Sequence, residues 1–485
     1  MTGTVQTTDQ PTAHTGTVRE LVAGTAGVPG RELATVLTDP DTGAALGPQR
    51  ASTPDSVERA LATARAVHED GTWSALPAAE RAAAVRVLAA ELTARADALG
   101  RADSLDSGAP QGLTTLLVSA VAGGMEGAAA RIENGFGHVE QASAVGTVDQ
   151  WQLPWGPAAV FLPWNAPSVT AITKTAEALV AGAPVLIKPS EWAPHFSGPF
   201  AEAVAAALPD GVVQIVHGDR EVGAALVADP RVAAVVYVGG VEGGRAVAQA
   251  CARDLKPADL ELSGNNPVLA LPDADPRTVV EQLVPGMLML NGQWCAGPRR
   301  LVVPADRAAD YRTALAEALD AVAIGPSTDP ATGLGPLAHE PHRRRIEEQL
   351  AEFAARGCEV HRHGTVPDSG GHFAAPAVVL ADAAPDLTDE VFGPVLLLRT
   401  YRDTDEAVAV ANDHPYGLSG YVFSADRDAA RVIGRRLRAG TVTVNSVLAG
   451  PADVTRVGSL WGVSGSGRMG AGQGAEFLTG YRSVG

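Results

Sequence analysis

Cysteine is scarce: Cys251, Cys295 and Cys358 are the only three in 485 residues. Their odd number and wide spacing exclude a disulfide framework and a zinc ribbon, and a reducing cytoplasm is the expected location. Runs of lysine and arginine are missing, and the formal net charge is −18, so neither nucleic acid nor a membrane surface is an expected partner. No stretch of about 18 uncharged apolar residues is evident, so no transmembrane helix is expected. The opening "MTGTVQTTDQPTAHTGTVRE" has no apolar core of the kind a signal peptide needs. Residues 1–16 are read as a flexible tail. Internal repeats and long linkers are absent. The one histidine-rich spot, "HRH" at 361–363, is read as a solvated strand edge, and no metal site is expected.

What is present is apolar: 46% of residues are hydrophobic and 19% charged, enough to bury a large core. Residues 54–105 carry the spacing of amphipathic helices. From Pro157 strands and helices alternate: "AAVFLP", then "SVTAITKTAEALVAG" ending on Gly182, then "APVLIKPS", "FAEAVAAAL", "GVVQIVHG", "REVGAALVADP" and "VAAVVYVGG", which opens through glycines into "RAVAQACARDL". Short uncharged strands alternating with helices predict a parallel sheet built from βαβ units. This dinucleotide-type domain is expected to run to about Lys256. A second alternation, from "LELSGNNPVLAL" through "RLVVP", "AAPAVVLADA", "PVLLLRTY" and "GTVTVN", predicts a second α/β domain containing Cys295. The carboxyl end is too glycine-rich at first for a helix and finishes in an apolar segment read as able to pair with another chain.

The stretch "NGQWCAGPRR", Asn291–Arg300, poses the functional question, because a lone cysteine packs more often than it reacts. Around it stand "PWNAP" (163–167), "KPSE" (188–191), "VGGVEGGR" (238–245), "LELSGNNP" (260–267), "GQWC" (292–295), "EVFGPV" (390–395), "NDHPYGLSG" (412–420) and "SGSGR" (464–468). In this order the motifs resemble those of the aldehyde dehydrogenases, from roughly Leu33 to the end. The resemblance implies an α/β fold with three parts. These are a Rossmann-type cofactor domain (17–120 and 147–256), an α/β catalytic domain (257–445) and a small oligomerisation element (121–146 and 464–485).

It also implies roles. Cys295 is the nucleophile, whose attack on an aldehyde gives a thiohemiacetal. An ordinary thiol is only a few per cent ionised at pH 7, so a site that raises the thiolate fraction, or removes the proton on attack, is expected. The Asn165 amide, with the Cys295 backbone N–H, matches the oxyanion donors. Glu261 matches the base for thioester hydrolysis, and Lys174 a lysine near the centre. Leu162, Pro163 and Trp164, Gly239 and Gly240 at a helix start, the ribose clamp Lys188 and Glu191, and Glu390 with Phe392 at the nicotinamide end form the implied cofactor contacts. A carboxylate at Glu191 favours NAD over NADP, with NADP possible. The implied partners are a small-molecule aldehyde and further copies of the chain, as a homodimer or homotetramer.

Several positions depart from the family pattern. Gly240 stands where a serine is usual, Ser263 and Asn265 replace residues beside Glu261, and a lysine is missing from the loop "VGSLWGVSGSGR". Trp294 and Trp461 are read as walls of the substrate pocket, with Trp151 and Trp155 as further candidates. Two alternatives remain: a CoA-acylating relative, against which Glu261 argues, and a non-catalytic binding protein on the same fold.

Overall fold

The structure, a computed structural model, describes residues 18–144, 146–448, 457–469 and 473–485; the tail expected over 1–16 lies outside the described residues. Ala158–Phe161, Val185–Lys188, Val213–Ile215, Ala234–Val238 and Ala258–Glu261 are parallel strands of one eight-stranded sheet. The first three are buried along their whole length, which is why they read as uninterrupted apolar runs. Counted along the chain, these five strands lie in the order 3-2-1-4-5, so the winding reverses between Ala158–Phe161 and Ala234–Val238. In such sheets the crevice at the carboxyl ends of the two strands flanking the reversal receives the ligand.

The second sheet has seven strands. Ala377–Leu380, Val395–Tyr401, Pro298–Pro304, Asn266–Ala270, Ser419–Phe423 and Thr441–Val444 run parallel, with Glu359–Arg362 antiparallel at one edge. Its core gathers Val268, Leu283, Met287, Leu301, Leu396 and Phe423. A separate antiparallel sheet joins His138–Ser143, Gly146–Pro154 and Thr479–Val484.

Four expectations need correction. The strand Ala258–Glu261 belongs to the first sheet, paired from Val235↔Ala258 to Val238↔Glu261. That sheet therefore extends past Lys256, and Glu261 sits at its carboxyl edge. Residues 121–133, which the sequence suggests to be part of a poorly structured insert near 121–150, complete the helix Gln111–Glu133. The carboxyl-terminal segment pairs within its own chain, from Thr479↔Pro154 to Val484↔Asp149. Finally, Gln111–Glu133 is long and apolar enough, by length and composition, to cross a membrane, against the expectation that no segment is. Its buried residues Thr114, Val118, Ala122, Met125, Ala129 and Ile132 recur every three or four positions, a one-sided stripe. Glu126 and Glu133 on this helix pair with Arg86 of the helix Ala78–Ala94 at 2.8 and 2.6 Å.

Candidate active site

The crevice predicted by the strand order is lined by the residues that leave those strands. Leu162, Pro163 and Trp164 follow Ala158–Phe161, and the Leu162 N–H donates to the Lys188 carbonyl at 3.0 Å. Gly239 and Gly240 follow Ala234–Val238. Gly240 caps the helix Val241–Arg253, and a Cβ added there would meet nothing within 4 Å. Open space before a helix amino terminus, with its unpaired N–H groups, is a place for an anion. At the next strand end Lys188 is buried and lies 3.5 Å from Glu191, its ammonium also donating to the Pro189 carbonyl at 3.0 Å. Burial lowers the Lys188 pKa despite that neighbour.

The nucleophile loop is held in an unusual backbone conformation. Leu290, Asn291 and Gly292 are consecutive left-handed residues, with φ of 52°, 58° and 74°. For a non-glycine residue this costs roughly 1–2 kcal/mol, and the surroundings offset it. The Asn291 amide donates to the Gly108 and Pro336 carbonyls, both at 2.7 Å, while its oxygen accepts from the Gly335 N–H at 2.9 Å. Gln293 donates to the Ser107 carbonyl at 2.9 Å and accepts from Ala338 at 3.0 Å. A Cβ at Gly292 would lie 2.2 Å from the Gly393 carbonyl carbon, so this loop and the 390–395 motif touch backbone to backbone. Beyond it, the Asn266 amide reaches the Cys295 carbonyl at 2.8 Å and the Tyr421 hydroxyl the Ala296 carbonyl at 2.6 Å.

The candidate reacting groups meet across the two sheets. The Cys295 thiol points at Glu261 Oε1, with 4.0 Å between them. The buried Asn165 amide donates to the Gln293 carbonyl at 2.7 Å, which leaves its second N–H for another acceptor. Burial, then the charges of Glu261 and Glu390, push the thiol pKa up to about 12. The resting site therefore does not enrich thiolate, contrary to the first of the two expectations. The second survives, with Glu261 as the carboxylate nearest to receive the proton. Lys174 is not a solvated helix charge: it is buried and 3.1 Å from Glu177. Burial alone would lower its pKa, but Glu177, Asp259 and Glu261 hold it above the ordinary lysine value.

Glu390 and Phe392 come from the loop before Val395–Tyr401. Glu390 Oε1 accepts from the Gly264 N–H at 3.3 Å, and burial raises its pKa to about 7 against the lowering effect of Arg299. Phe392 meets Trp164 edge-on at 5.5 Å. Of the departures, Asn265 donates to the Thr388 carbonyl at 2.7 Å, tying the Glu261 segment to the Glu390 loop. The Ser464 hydroxyl reaches the Ser263 carbonyl at 2.6 Å. Trp294 packs on the core of the second sheet, and Trp461 is half exposed. Trp155 is removed from the centre: it lines an open cavity with Pro230, Arg253, Leu255 and Pro257, at the amino ends of Ala234–Val238 and Ala258–Glu261, opposite to Glu261. Trp151 stacks on His138 at 4.0 Å in the separate antiparallel sheet.

Sequence reasoning passed over Arg299, Glu177, Asp259 and the amides of Asn291 and Gln293. One signal was available: "PRRLVVP" carries two arginines in a strand buried at every position, where arginine is seldom found.

A family profile described as the aldehyde dehydrogenase family matches residues 29–484. A geranial dehydrogenase of Castellaniella defragrans is 35% identical over 399 residues, 81% of this chain and 84% of its own. An aldehyde dehydrogenase of Mycobacterium tuberculosis, solved with NAD+, superposes with a TM-score of 0.90 at 29% identity, covering 96% of this chain and 97% of its own. A mutant aldehyde dehydrogenase of Pseudomonas syringae with NAD+ and octanal gives 0.89 at 28%, covering 98% and 97%.

Proposed function

The chain belongs to the aldehyde dehydrogenase family, and from that premise we propose that it oxidises an aldehyde to the carboxylic acid with NAD(P)+ by covalent catalysis at Cys295. The observation that carries this reading is the 4.0 Å approach of the Cys295 thiol to Glu261 at the carboxyl edge of a doubly wound sheet. The crevice suits a dinucleotide: open space before the helix at Gly240, a lysine–carboxylate pair at Lys188 and Glu191, and a buried carboxylate and ring at Glu390 and Phe392. When bound there, NAD(P)+ supplies a hydride acceptor.

In this reading Glu261 takes the thiol proton as sulfur bonds to the aldehyde carbon, and the carbonyl π electrons move to oxygen. Asn165 and the Cys295 N–H donate to that oxyanion. Loss of hydride from carbon leaves a thioester on Cys295. Glu261 passes that first proton to solvent, then takes a proton from water as its oxygen adds to the acyl carbon, and returns it to sulfur as the C–S bond breaks, giving acid and thiol. The test is NADH appearance at 340 nm with about a dozen aldehydes, with and without CoA. A strict requirement for CoA would overturn hydrolysis by Glu261, and no turnover with any aldehyde would overturn the reading.

Glu191 is the proposed source of a preference for NAD. Two unit charges about 4 Å apart interact by about 4 kcal/mol at an effective dielectric of 20, and the partial exposure of Glu191 (31%) with Lys188 beside it lessens this. Glu191→Ser is expected to raise kcat/KM for NADP by roughly ten- to a hundredfold and to lower it for NAD, as ribose hydrogen bonds worth about 1.5–3 kcal/mol at most are lost. Wild type using NADP as well as NAD would overturn the clamp.

We also propose assembly into a dimer or dimer of dimers in the cytoplasm. The strand His138–Ser143 is exposed throughout, and Val139, Tyr481 and Val484 stand out to solvent. Open strand edges seek partners. Light scattering at micromolar concentration should give twice or four times the chain mass, and a monomer would refute the proposal.

A further inference from the structure

Arg299 is the most deeply buried cation near the centre, with 1% of its side chain exposed. One terminal nitrogen donates to two carbonyls of the nucleophile loop, Gly292 at 2.6 Å and Trp294 at 2.8 Å. Its Nε and other terminal nitrogen have no hydrogen-bond partner. Nε faces Glu390 Oε1 at 4.0 Å, and the guanidinium lies 5.5 Å from the centre of the Phe392 ring. A guanidinium carries five N–H donors in a rigid fork, and burying it with two nitrogens unsatisfied is costly. Simple anchoring of the loop does not require this residue, because the two carbonyls need only a neutral donor. What the charge adds is a field on Glu390, the buried carboxylate at the nicotinamide end.

We propose that Arg299 is a positioning residue that joins the nucleophile loop to the Glu390–Phe392 segment and keeps Glu390 ionised, so that it accepts hydrogen bonds from the ribose beside the nicotinamide. The inference rests on the cofactor reading given above. A carboxylate accepts from both hydroxyls of a ribose, whereas a protonated carboxyl must donate one of its own hydrogens. Burial already raises the Glu390 pKa to about 7. Loss of the neighbouring cation raises it further, and the group is then protonated at neutral pH.

The other groups around this pair are Cys295, Tyr416, Tyr421, His342, Glu261, Asp389 and Arg245. Between pH 5.5 and 9 the Cys295 thiol, pushed up to about 12, stays protonated, and His342, pushed down to about 4 by burial, stays neutral. Burial raises both tyrosines above their ordinary values.

The test is calorimetric titration of the full chain with NAD+ from pH 5.5 to 9, which needs no turnover. Wild-type affinity should rise through a midpoint near 7, where the Glu390 pKa lies. Arg299→Met should move the midpoint up by about one unit and weaken binding at pH 7 about fivefold, with recovery at pH 9. Arg299→Gln keeps a donor for the two loop carbonyls and should show the same shift, which serves if the methionine variant does not fold. Arg299→Lys should restore the wild-type midpoint, and Glu390→Gln should flatten the profile. A merely structural Arg299 would weaken binding equally at every pH. Neutral variants with the wild-type midpoint overturn the role of Arg299 alone, whereas wild type that binds no NAD+ at any pH brings down the cofactor reading with it.

Discussion

Cys295→Ala is expected to lower NADH formation from any aldehyde by roughly three orders of magnitude or more, the scale on which loss of a covalent nucleophile acts. NAD+ binding and melting temperature should stay close to wild type. The methyl of alanine occupies part of the thiol's volume, and the loop around it is fixed by other groups: the Asn291 and Gln293 side chains tie it to the Gly108 carbonyl and the Ala338 N–H, and Asn266 holds the Cys295 carbonyl. The thiol meets Glu261 at 4.0 Å and the Ala296 backbone N–H, and sulfur is a weak hydrogen-bonding partner, so its removal costs the fold little. Cys251 and Cys358 are buried in apolar clusters, burial raises both thiols, and their alanine variants should retain most activity. Substantial oxidation by a folded Cys295→Ala protein, read at 340 nm, would remove Cys295 from the reaction.

The strands were legible because parallel strands buried on both faces must be apolar throughout, and the helices between them because their stripes repeat every three or four residues. The allegiance of Ala258–Glu261 was not legible: its pairing with Ala234–Val238 is a contact across a helix, and apolar strands of either sheet look alike. Residues 121–133 misled because Gly123, Gly124 and Gly127 depress helix propensity, while packing against Ala78–Ala94 keeps the helix intact. In the site, motif positions named the candidate reacting groups, but not what surrounds them. That Lys174 is buried against Glu177, or that Arg299 faces Glu390, depends on which helix face and strand face turn inward. That is a tertiary fact with no local signature beyond arginines in an apolar strand.

In the proposed reaction the protonated resting thiol gives Glu261 two duties, and Glu261→Gln is expected to separate them. Deacylation depends on a base that can take a proton from water, and such a base contributes about 10²–10⁴-fold. The amide cannot serve, so the thioester should accumulate after one hydride transfer. Stopped-flow should show a burst near one NADH per active site, followed by a steady state slower than wild type by roughly two to three orders of magnitude. The burst itself reports the first duty. With the thiol pKa near 12 and no carboxylate in reach, the burst should be slower than in wild type at pH 7. It should quicken as pH rises, because hydroxide then removes the proton that Glu261 removed before. The sign follows from the chemistry: the species that attacks is the thiolate, and well below the thiol pKa its fraction grows about tenfold with each pH unit. A burst rate independent of pH and equal to wild type would confine Glu261 to hydrolysis. Continuous turnover at the wild-type rate with no burst would exclude it from both steps and leave water activation to another group.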